Sequence, residues 1–189
     1  VMVGTAIGVI AGMWWVLGPG REGVSAPVWG VCVAVVALLG AASLVLARRS
    51  APRASAAPSG RGFVRNPRYW AAVAVEVILV VVGNRVAVAS GRRDLSLSIV
   101  LIAVGVHFLP LMWALFGRWS AAFGALGFVL TACGVGVAAA RIGGAPEWVF
   151  GVVGGIVPAL AFTAIPLVVM GFGRSRRVMV ETSDEPVAR

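Results

Sequence analysis

Glu76 and His107 are the two side chains in this sequence whose types and placement can do chemistry. Each interrupts a long apolar run. An ionisable group at the centre of a bilayer costs roughly 3 kcal/mol on insertion scales, so each needs a partner or a purpose. At a helical rise of about 1.5 Å per residue, Glu76 lies about 10 Å from Tyr69, where its run begins. His107 lies about 15 Å from Gly117, at the end of the next, antiparallel run. The two depths differ by about 5 Å, within side-chain reach when the helix faces match. Imidazole changes charge near neutral pH, so a carboxylate beside it can accept and release a proton. The pair reads either as a polar tie between two helices or as a proton-handling site. Asn84 and Arg85 complete the candidate site. Asn84 falls near the Glu76 face and is expected to hydrogen-bond to it. Arg85 is half a turn out of phase with Glu76. It is expected to snorkel outward and to meet Asp94, Glu147 or an anionic solute.

The elements that must position these groups are six apolar runs, at 2–17, 27–47, 70–89, 95–116, 119–140 and 148–172. About 20 such residues in a helix cross the hydrocarbon core of a bilayer. Hydrophobic residues make up 60% of the chain and charged residues only 12%, roughly half the charge of a soluble domain. The predicted fold is therefore all-α: a polytopic membrane protein with six transmembrane helices in one domain over 1–173. No stretch is left for a second, soluble domain. Short links make consecutive helices antiparallel neighbours.

Charge sets the expected orientation. The connection 48–69 holds Arg48, Arg49, Arg53, Arg61, Arg65 and Arg68 and no acid. Its Ala, Pro, Ser and Gly content predicts a mobile loop. Placing it in the cytoplasm puts both termini inside. Ten arginines then lie near inner helix ends and four in outer connections, in line with the positive-inside rule. Seven Trp fall near run boundaries, where amphipathic rings settle at headgroup level. The tail 174–189 is expected to be disordered and cytoplasmic. All sixteen basic residues are Arg; together with the Ala, Gly and Val content this points to GC-rich codons and a bacterial cytoplasmic membrane.

Composition also excludes classes. A net charge of +9 in such a chain reads as contact with anionic lipid headgroups through the six loop arginines, not as nucleic-acid binding. Cys32 and Cys133 lie inside runs with no CxxC, so no metal or thiol centre is expected. No cofactor is implied. No convergent acid, base and nucleophile set argues for an enzyme. Small-residue stripes at Gly4/Gly8/Gly12, Ala132/Gly136/Ala140 and Gly151/Gly155 let backbones approach closely, within the bundle or in a homo-oligomer through the first or sixth run. Thr131, Thr163 and Ser43 are expected to bond to their own helices.

The segment Gly105-Val106-His107-Phe108-Leu109-Pro110-Leu111 resembles a helix of small, uncharacterised bacterial multi-pass membrane proteins. The resemblance implies that His107 and Pro110 form a local unit and implies no activity. The expected function is transport of a small solute or ion, linked to protons through Glu76 and His107. The alternative is a non-catalytic membrane subunit or lipid-interacting scaffold that works through the Arg-rich loop.

Overall fold

The structure is a computed structural model that describes residues 2–49, 67–114, 118–165 and 167–168, without the side chains of 2–4, 68, 113–114 and 118–120. Loop arginines Arg53, Arg61 and Arg65 and the tail lie outside the described residues. Arg68 is described in its backbone only, and the side chains of Trp113 and Trp119 are outside as well.

Among the described residues the chain is helical, without strands. The helices are α1 (Met2–Leu17), α2 (Ala26–Arg49), α3 (Pro67–Ala89), α4 (Ser96–Ala114), α5 (Arg118–Ile142) and α6 (Glu147–Ile165). Five of them, α2 to α6, are long and apolar enough to cross a membrane, the character of an integral membrane protein. The sixth apolar run is α1, a shorter helix of 16 residues. Hydrogen bonding explains the all-helical choice, because a helix satisfies every backbone group within its own segment.

Packing orders the helices as α3, α4, α5, α6, α1, α2, with α3 and α2 at the two edges. The core gathers Trp15, Val16, Leu101, Leu130, Val137, Phe150 and Phe162 from the interior helices. The closest seam joins α4 to α5 through glycines. A Cβ at Gly127 would lie 2.7 Å from the Gly105 carbonyl oxygen, and one at Gly134 would lie 2.9 Å from that of Ser98. Met112 reaches over Gly124 at the far end of the same stripe. This seam is not one of the three small-residue stripes expected from sequence. Of those, Gly8 and Gly12 pack on Phe162, Ala159 and Thr163 of α6. Gly151 and Gly155 receive the backbone of the α1–α2 connection at Glu22 and Gly20. Gly136 meets only Val153 at ordinary contact distance, and Ala132 is exposed. Gly8, Gly12, Gly151 and Gly155 therefore serve packing within the chain.

Near its start α6 widens. Val157 N–H donates to Val152 C=O across the turn Val152–Ile156, five residues apart rather than four. Pro158 follows at once. It has no N–H to give Gly154 C=O, and a local i→i+5 turn accommodates the loss.

One expectation about polar groups changes. Thr131 and Thr163 do bond to their own helices, at Gly127 C=O (2.8 Å) and Ala159 C=O (2.9 Å). Ser43 instead donates across to Thr163 C=O of α6 at 3.0 Å, fully buried. It thereby ties the edge helix α2 to the interior. Ser43→Ala is expected to destabilise the fold by about 1 kcal/mol, read as an earlier midpoint in detergent-micelle unfolding. Trp14, Trp70 and Trp148 project outward as interfacial rings should, but Trp15 is buried in the core.

Candidate functional site

On α3 the residues Tyr69, Ala72, Val73, Glu76, Val80, Gly83, Asn84 and Ala87 are covered to varying degrees, while Val75, Val77, Ile78, Val81, Val82 and Val86 are exposed. The covered positions recur at three- and four-residue spacing, the signature of one helix face. That face packs on α4, where Ile99 fills the notch at Gly83. Ile99, Ala103 and His107 follow at four-residue spacing, so one stripe of α4 meets α3 and carries His107. Glu76 therefore sits on the contact face because small residues on either side of it let α4 come close.

The two groups meet. Glu76 Oε2 lies 3.2 Å from His107 Nδ1. The imidazole is nearly covered, with 11% of its side chain exposed, whereas 28% of Glu76 remains open. The approach is close but lacks the alignment of a hydrogen bond, and among the described residues Nδ1 has no other hydrogen-bond partner. A small side-chain rotation is enough to make or break an aligned bond at this distance. The Tyr69 ring stands edge-on to His107 with centroids 6.5 Å apart, and Phe108 stands beside it at 5.5 Å. Phe108 in turn stacks on Phe123 of α5 and meets Phe162 of α6. The imidazole is thus held in an aromatic setting on one side and meets the carboxylate on the other. Among the described residues no three His, Cys, Asp or Glu side chains converge, so the chemistry of the site is that of two groups.

Asn84 and Arg85 do not join the pair. Asn84 Nδ2 donates to Val80 C=O of its own helix at 2.9 Å. Two turns separate it from Glu76, about 12 Å along the axis, too far for its short side chain. Arg85 is exposed on the opposite face. Its expected partners are taken: Asp94 binds Arg92 in a two-pronged contact at 3.1 Å, and Glu147 lies 3.7 Å from Arg141. Arg48 and Arg49 are exposed at the last turn of α2.

Sequence reasoning missed a second charged cluster, at the opposite end of the bundle. Arg141 bonds Glu22 at 3.1 Å and lies over the Phe150 ring at 3.4 Å. It joins the α1–α2 connection to the start of α6. Its signal was present in the spacing of Arg141 and Glu147, but Glu22 is remote in sequence. Nearby, the hydrogen bond from Arg92 holds the Asp94 carboxyl below its ordinary range, with the Arg92 charge adding to this. A carboxyl depressed in the folded state stabilises above its unfolded value, near 4, and that contribution is lost as pH falls through the folded value. The Arg92–Asp94 contact is therefore expected to persist down to about pH 4 and to open only on further acidification, as followed by the Asp94 carboxyl carbon in NMR.

Comparison of the chain with family models, with characterised proteins and with solved structures finds no match.

Proposed function

We propose that the protein spans the cytoplasmic membrane of a bacterium six times with both termini inside, and transports a small solute or ion in a proton-linked manner through Glu76 and His107. The 3.2 Å approach of these two side chains, from different helices and within apolar spans, carries this reading. A carboxylate and an imidazole in contact share one proton at little cost in net charge, and intramembrane ionisable groups mark proton relays and solute paths. Their contact crosses the joint between the edge helix α3 and α4, so relative movement of the two helices alters the proton's environment. Alternation of that kind is what coupling requires.

The orientation follows from arginine placement. Arg48 and Arg49 close α2, at the end of the bundle where the basic connection begins, and the positive-inside rule assigns that end to the cytoplasm. The α1 helix supplies the sixth crossing, with its 16 residues accommodated by local thinning of the bilayer.

The test is reconstitution into proteoliposomes that enclose a pH dye. With a pH gradient imposed, vesicles carrying the protein are expected to lose it faster than protein-free vesicles, either directly or on addition of a transported solute. Equal decay across a broad solute panel would overturn the reading in favour of a scaffold that engages anionic lipid through Arg48, Arg49 and the rest of the basic loop.

A further inference from the structure

We infer that Glu76 is the anchoring group of a binding site, open to the lipid between α3 and α4, for a lipophilic monocation: a bulky, aromatic or alkyl-substituted ammonium or phosphonium that enters from the membrane. The inference rests on the proposed transport reading and names its substrate class.

The carboxylate faces two ways. His107 covers one side, yet 28% of the Glu76 side chain stays open. Its neighbours one turn away on either side of α3 are apolar: Val73 and Val80 are half-buried and Leu79 is 40% exposed. The helix bearing them is the least covered of the five spanning helices. In the proposed membrane placement the open side of Glu76 gives onto hydrocarbon rather than water. An anion there attracts positive charge strongly because little solvent screens it. Small hydrated cations do not reach it from the lipid side. A cation whose charge is spread under apolar substituents does.

The aromatic groups lie where such a ligand would extend. Tyr69 shares the contact face with Glu76 two turns away, about 10 Å. It stands edge-to-face with Trp70 at 5.4 Å, and Trp70 is 55% exposed. Aromatic faces attract cations and flat rings alike. A ligand about 10 Å long can place its charge at Glu76 and its apolar body along Val73 toward these rings.

The same contact supplies the exchange. Protonated His107 and the ligand cation compete for one carboxylate, so a cation that docks on Glu76 displaces a proton from the pair. Among the described residues the other titratable groups near the pair do not serve this exchange. Tyr69 enters the site through its ring, edge-on to His107. On α5, Cys133 adjoins Gly134, which packs on Ser98 and Ile102 more than a turn from His107. Arg141 and Glu147 belong to the opposite end of the bundle.

Tetraphenylphosphonium and its anionic isostere tetraphenylborate test the assignment on the full chain in detergent micelles. The phosphonium is expected to bind the parent with release of about one proton per cation in weak buffer, and Glu76→Gln is expected to weaken binding at least tenfold with helicity unchanged. The borate is expected to bind parent and variant alike, through apolar contact only, and to release no proton. Equal phosphonium binding by parent and Glu76→Gln, or borate binding as tight as phosphonium, overturns the inference without needing the variant's fold as an argument. Absence of phosphonium binding while the protein still dissipates a pH gradient overturns this substrate class and leaves proton-linked transport standing. Absence of both removes both.

Discussion

Gly105→Ala is expected to destabilise the protein by about 3 kcal/mol, the upper end of what overpacking a close contact costs. Helix propensity alone favours Ala over Gly by about 1 kcal/mol, so the sign of the effect is decided by space. A Cβ at Gly105 would run into the Thr131 backbone nitrogen and hydroxyl, and it would lie 2.8 Å from Gly127 C=O. These are mostly backbone atoms of α5 and cannot swing aside. The two helices must separate, and the separation propagates to Gly127 and Gly134 on the same seam. Gly30 supplies the control. A Cβ there meets nothing within 4 Å, so Gly30→Ala should leave stability unchanged or raise it by up to about 1 kcal/mol. Unfolding midpoints of the two variants in mixed micelles read the contrast directly. Two equally small shifts would mean that α4 and α5 do not approach as described.

The second large effect concerns Glu76. Glu76→Gln keeps the size and shape of the side chain and removes its ability to ionise. Proton flux is expected to fall about tenfold or more, to the level of the protein-free leak, because no second carboxylate stands in α3 to take over. His107→Gln should behave differently. It leaves the carboxylate in place and removes the imidazole that meets it, so flux is expected to persist at a reduced rate. Flux at the parent's rate in both variants would reduce the pair to a structural tie. The stability cost of the two substitutions separates the cases further: a tie predicts similar destabilisation and unaltered flux.

Much of this arrangement was legible before any coordinates. Glu76 and His107 could be matched because the link between their helices is short, which forces antiparallel neighbours, and because depth follows from counting residues at a fixed rise. Helix rotation could not be counted in this way. Asn84 has the same phase as Glu76 but lies two turns away, and its amide settles on Val80 C=O. Ser43 looked able to satisfy itself and instead reaches Thr163 C=O on α6, because the partner face of an apolar helix carries no signature in its own sequence. The Gly105–Gly127–Gly134 seam was hidden for the same reason. Among 25 glycines, spacing alone does not distinguish those that meet a neighbouring backbone from those that meet lipid. Pro158 announced a missing donor, but not that α6 would answer with a widened turn at Val152–Ile156. The Arg141 cluster depends on Glu22, more than a hundred residues away, a distance over which local pattern has no reach.

The central claim is that Glu76 takes up and releases a proton within the membrane. Infrared difference spectroscopy on the reconstituted protein, between alkaline and acidic pH, tests it most directly when the parent is compared with Glu76→Gln. The account predicts a protonated-carboxyl C=O band that appears on acidification of the parent and is absent from the variant, while the exposed carboxyls of Glu22, Asp94 and Glu147 contribute equally to both. Identical difference spectra for the two proteins would contradict it.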